Sequence, residues 1–108
     1  MTSLLHRLES ELTTRIVDVE VSGETVTVAL DDHRRISFPM DWSPRLKHGT
    51  IAERSHWELI GGGIGIHWPD LDEDLSLAGI LLGLPSGESR RSFSKWLEHR
   101  QKQATSSV

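Results

Sequence analysis

The sequence predicts an α+β domain: an antiparallel sheet of about five strands, a meander plus a second hairpin, with short helices and a C-terminal amphipathic helix. Three patterns predict it. Val17, Val19 and Val21 alternate with Asp18 and Glu20, and Val26, Val28 and Leu30 alternate with Thr25, Thr27 and Ala29. That two-residue period belongs to half-buried strands. A second strand–turn–strand unit runs from Trp57 to Trp68 through Gly61-Gly62-Gly63. Phe93, Trp96 and Leu97 then recur at the i, i+3, i+4 spacing of one helix face.

Leu4, Leu5, Leu8 and Leu12 fall on one side of a short first helix, which Ser3 is placed to cap and Thr13-Thr14 to end. Ser22-Gly23 is the tight turn of the first hairpin, because glycine accepts positive φ without a Cβ clash. Asp31-Asp32-His33 turns the chain again, and Ile36 and Phe38 mark a third strand. Residues 16–38 therefore read as a three-stranded meander that buries the alternating Val17, Val19, Val21, Val26, Val28 and Leu30 together with Ile36 and Phe38. Pro39 closes it, since proline cannot donate to the ladder.

Asp41 to Gly49 reads as a short helix with Pro44 at an early position, and Thr50 to Arg54 as a further helical turn. Trp57, Leu59 and Ile60 mark a fourth strand; Ile64, Ile66 and Trp68 mark a fifth, which Pro69 stops. Ser76 to Leu82 is an apolar helix with Gly83 and Pro85 as its stop signals. Asp72 or Asp74 is expected to cap its N-terminus, where acids favour the positive end of the dipole. The chain divides as one domain over 1–108: a helical extension at 1–14, a core at 15–84, and a hinge loop with a basic helix at 85–108.

A chain of 108 residues with 36% hydrophobic and 26% charged side chains fits one globular domain. No apolar run approaches the roughly 18 residues of a membrane span, so no membrane association is expected. Met1 to Arg7 lacks the apolar core of a signal peptide, and the chain has no cysteine, so a cytoplasmic location is expected. The net charge of −4 hides an asymmetry: residues 1–89 carry 7 Lys and Arg against 15 Asp and Glu, whereas residues 90–108 carry 5 against 1. An acidic body argues against binding duplex DNA over a broad face, which requires a continuous basic surface. The basic tail leaves room for a local contact.

The stretch from Val17 to about Leu97 resembles the bacterial domain of unknown function 2442. The residues that carry the resemblance are Phe38-Pro39, Trp42 with Pro44-Arg45-Leu46, Trp57-Glu58-Leu59-Ile60-Gly61, and His67-Trp68-Pro69-Asp70 with Asp72-Glu73-Asp74. Trp96-Leu97 matches a terminal helix of many relatives. The resemblance implies an α+β domain with an antiparallel sheet and no established catalytic activity. Relatives are small stand-alone proteins, sometimes joined to a helix-turn-helix, and some are encoded beside another small protein in the manner of toxin–antitoxin pairs. Two positions depart from the pattern. His33 stands where relatives have glycine in an Asp-Gly-Arg turn, and Ser43 stands where they tend to have an aromatic.

The acids around Asp70 to Asp74, beside His67, invite a metal or acid–base reading. Counting from Asp70, however, the sixth and twelfth positions are Leu75 and Leu81, not the Gly and Glu of a calcium loop. The glycine run lacks the third glycine of a dinucleotide fingerprint and leads into a strand. Gly-x-Ser-x-Gly is absent, and scattered histidines define no triad. No catalytic residue, metal or cofactor is therefore assigned. Four Trp against two Phe and no Tyr is an unusual balance, and Trp serves both cores and binding hot spots. The candidate partner-binding residues are Trp42, Arg45, His67, Trp68, Asp70, Asp72 and Trp96. The expected role is a small non-catalytic protein-interaction module with a small protein partner, antitoxin-like or regulatory. Homo-oligomerisation stays open. The alternatives are a nucleic-acid-associated regulator using the basic helix and, third, a metal-dependent enzyme using the acidic loop.

Overall fold

A computed structural model describes residues 4–106, the side chains of Glu9, Ser10 and residues 103–106 excepted. The expected cap at Ser3 lies outside the described residues. The first helix, α1, spans Leu4–Glu11. The meander follows as β1 (Ile16–Ser22), β2 (Thr25–Leu30) and β3 (Arg35–Pro39), antiparallel in that order. A single 3₁₀ turn at Met40–Trp42 leads into α2 (Pro44–His48) and α3 (Ile51–Ser55). A second antiparallel sheet contains β4 (Glu58–Ile60), β5 (Gly65–Trp68) and β6 (Glu73–Ser76). The chain ends in α4 (Leu77–Leu81) and α5 (Arg90–Ser106).

Two three-stranded sheets thus replace the single expected sheet of about five strands. The sixth strand escaped notice because Glu73 takes an inward slot: the pattern Glu73 in, Asp74 out, Leu75 in is alternation with a buried acid standing in for an apolar residue. The sheets meet at a backbone junction. Ile16 donates to the Gly63 carbonyl at 2.8 Å, while Leu77, donating to the Ile64 carbonyl at 2.9 Å, extends the β5–β6 pairing within the second sheet. A Cβ on Gly63 would lie 2.4 Å from the Ile16 oxygen, and its φ of +115° suits glycine, so this close approach needs a residue without a side chain.

The core packs Val26, Val28, Leu30 and Phe38 of the meander against Leu46, Ile66, Trp68, Leu71, Leu77 and Ile80. Val21 and Ile36 are half-buried against it. Val17, expected inside, is 55% exposed, whereas Ile16 is 1% exposed. Ile16 pairs with Leu30 but Asp18 with Ala29, so Val17 is the extra residue of a bulge. The bulge reverses the facing of everything before it. Ile64 also departs from expectation: it lies in the turn before β5 and is half-exposed.

The segment from Ser43 to Ser55 is set by caps. Ser43, wholly buried, accepts from the Leu46 N–H and starts α2 with Pro44 at its first turn. Thr50 and Glu53 form a reciprocal capping box on α3. The α4 cap is Ser76, whose Oγ accepts from the Gly79 N–H at 3.0 Å. The expectation of Asp72 or Asp74 there is corrected, because pairing of β6 with β5 carries both acids into or before a strand. The turn at His33 survives its missing glycine with φ of 72°, helped by Asp32, which accepts from the Arg34 N–H and pairs with the Arg34 guanidinium.

Candidate partner-binding groove

Ser43 fixes the first turn of α2, and that turn aims Arg45 at the chain leaving α4. The Arg45 guanidinium grips Glu88 in a fork, Nε to Oε1 at 2.8 Å and Nη2 to Oε2 at 2.6 Å. Its third nitrogen donates to the Asp72 carbonyl at 2.9 Å. Asp72 adopts φ of 50° with its side chain 87% exposed, so Arg45 holds a left-handed backbone position at the rim of the site. Planar, bidentate pairing of this kind is what arginine does and lysine does not. The Arg45 guanidinium beside Glu88 holds that carboxyl below its ordinary range.

A second fork lies along α5. Arg100 donates to both Glu53 oxygens at 2.9 and 3.0 Å. Those bonds, with the capping-box bond from Thr50, bring the Glu53 carboxyl down to about 2. Between the forks stands Trp96, with Arg45 5.2 Å and Arg100 4.7 Å from its ring centroid. Phe93 stacks on it at 5.7 Å and His48 meets it edge-on at 6.2 Å. The apolar stripe of α5 is expected to pack on the domain or on a second copy of it. Trp96 packs against this chain's own core and Phe93 meets His48 edge-on at 6.1 Å, while Leu97 is half-buried and Arg91, Lys95 and Lys102 are exposed. An open groove of about 530 Å³ results, lined by Arg45, Asp72, Arg91, Ser92, Lys95 and Trp96, among others.

Behind the rim lies a buried acid. Glu73 is 8% exposed, accepts from the Ser43 hydroxyl and, at 3.0 Å, from the Asp74 N–H. Burial pushes its carboxyl above the ordinary range, outweighing the two hydrogen bonds and the nearby Arg45.

Arg45, Asp72 and Trp96 are thus brought to one groove. The other sequence candidates are not. Trp68 is wholly buried and donates its indole N–H to the Arg54 carbonyl at 2.9 Å; it is a core residue. Trp42 stacks on Phe38 at 5.3 Å beside a separate, more apolar cleft. His67 pairs with Asp74 across β5 and β6, which raises the imidazole pKa, and Asp70 pairs with His56 at 2.7 Å. Sequence reading missed Glu53, Glu88 and Arg100, the groove's ion pairs. Their partners are 43 and 47 residues away, and no local spacing signals such a pair. Among the described residues no group of three His, Asp or Glu is arranged to hold a metal, and no helix is long and apolar enough to cross a membrane.

No curated protein matches the chain. Two solved structures resemble it. A protein of unknown function from Rhodospirillum rubrum ATCC 11170 is 28% identical with a TM-score of 0.61, the match covering 69% of this chain and 93% of that one. An uncharacterized protein from Chromobacterium violaceum, solved by solution NMR, is 22% identical with a TM-score of 0.63, covering 84% of this chain and 83% of that one; it supports the fold alone. Residues 16–86, from the start of β1 to the loop before α5, match the model of the family described as a protein of unknown function, DUF2442. That stretch is more than half of the chain, and the protein belongs to this family.

Proposed function

We propose that the domain is a small non-catalytic protein-interaction module that meets its partner across the groove between α5 and the Arg45–Asp72 rim. One observation carries this reading: Arg45, Asp72 and Trp96 line a single open groove, formed between the family stretch and the helix that follows it. Arginine and tryptophan are the residue types most enriched in binding hot spots. The two forks hold the groove wall in place before a partner arrives, which lowers the ordering cost of binding. The finer role is regulatory or antitoxin-like, with the product of a neighbouring small gene as partner.

The absence of cysteine makes the test direct. A photocrosslinker attached at Ser92→Cys reports on the groove, and one at Ser37→Cys reports on the meander, far along the chain. The expected result is one identified protein that co-purifies stoichiometrically and crosslinks from position 92 only. Crosslinking from position 37 alone would move the interface elsewhere, and no co-purifying protein would end the reading. The rival reading, a nucleic-acid-associated regulator, draws on the exposed cations of α5. It requires salt-sensitive DNA binding that is lost on truncation after Gly87.

A further inference from the structure

The cations of the core and the rim are already engaged. Arg45, Lys47 and Arg100 hold carboxylates, and Arg15 and Arg54 donate to backbone carbonyls. Arg90, Arg91, Lys95 and Lys102 differ: all are exposed, all lie on α5, and none has an ion-pair partner among the described residues. Arg91 and Lys95 are one helical turn apart and line the groove side by side. The groove therefore offers a pair of uncommitted positive charges next to a fixed indole.

Two kinds of anion fit a positive pair, carboxylates and phosphates. The indole decides against a stacked nucleobase. Two guanidinium groups lie over its ring and Phe93 stacks on it, which leaves little of its π-face for the base stacking that single-strand binders use. The rim decides against an extended phosphate backbone. Asp72 projects into solvent at the groove mouth, and residues 1–89 carry 15 acids against 7 bases, so a polyanion running past the groove meets repulsion. A short acidic segment of a protein, whose charge ends where the groove ends, meets only Asp72, which Arg45 faces at 3.6 Å, and not the acidic body beyond.

We infer that the groove recognises an acidic segment of its protein partner, with Arg91 and Lys95 taking the carboxylates and the edge of Trp96 taking an apolar neighbour. This rests on the interaction-module reading above. The probes are a short fluorescein-labelled peptide of Glu, Leu and Gly, its Lys-for-Glu counterpart, and a single-stranded oligonucleotide of matching charge. Fluorescence anisotropy is read at low and moderate salt. The Glu peptide is expected to bind the intact protein in a salt-dependent way. Arg91→Glu with Lys95→Glu should weaken it about tenfold or more, since two exposed pairs are turned into repulsions. The same double variant should gain binding to the Lys peptide, a charge swap that mere misfolding does not produce.

Equal binding of the Glu peptide by parent and double variant would overturn the inference, as would no binding at all. Tighter binding of the oligonucleotide than of the peptide would do so as well, in favour of phosphate. If a partner still crosslinks from position 92 while the double variant binds that partner unchanged, the acidic-segment inference fails and the module reading stands. If nothing crosslinks or co-purifies, the module reading itself fails.

Discussion

Glu73 occupies a place that strand alternation reserves for an apolar side chain, and burial raises its carboxyl above the ordinary range. The folded protein therefore holds that proton more tightly than the unfolded chain does. Its contribution favours folding at mildly acidic pH and is lost as pH rises through the folded-state value. Glu73→Gln removes the titration yet keeps an acceptor for the Asp74 N–H. In urea titrations the variant should gain on the parent at neutral pH relative to mildly acidic pH; a pH-independent difference would contradict the assignment. The tryptophans separate at the same scale. Trp68→Ala should cost about 4 kcal/mol, the range for a large core side chain, whereas half-buried Trp96→Ala should cost about 2 kcal/mol. Thermal melts of the two variants check the order. Sequence could count these residues but not rank them, because burial is decided by what packs around a ring and not by its neighbours in the chain.

Caps and turns are the part of the molecule most legible at the level of elements. The meander turns at Gly23 and His33, the Pro44 entry to α2, and the Gly83 stop after α4 all follow from local stereochemistry. His33 holds φ of 72° with a Cβ, so His33→Gly should stabilise the protein by about 0.5 kcal/mol, the relief of left-handed strain less the added freedom of the unfolded chain. A raised urea midpoint is the readout. Ser76→Ala should destabilise by about 1 kcal/mol as α4 loses its cap, while Asp74→Asn should leave the α4 amides protected in hydrogen exchange. Protection lost with Asp74→Asn instead would restore the acid as the cap. The capping assignment failed in sequence because four acids before an apolar helix look like caps until a sheet claims them.

For the molecule as a whole the decisive contact is the junction between the sheets. Gly63→Ala should cost about 3 kcal/mol or more, since both its φ and the Ile16 backbone forbid a Cβ. Loss of slow-exchanging amides in both sheets together would mark them as one cooperative unit. Loss in one sheet alone would mark two. The docking of α5 belongs to this scale too. The Arg100–Glu53 fork and the Trp96 indole attach the helix itself, the Arg45–Glu88 fork anchors the loop before it, and each fork spans more than 40 residues of sequence.

By itself the sequence determined the α+β class, the meander over residues 16–38, the family resemblance from Val17 onward and the amphipathic last helix. Each is written in local periodicity or in a contiguous motif. Tertiary structure decided that the strands form two sheets, that Trp68 is core while Trp96 lines a groove, and that Arg45 meets Glu88 while Arg100 meets Glu53. Those outcomes depend on which distant surfaces are brought together, and side-chain pairing across 40 or more residues leaves no period in the chain for a reader to find.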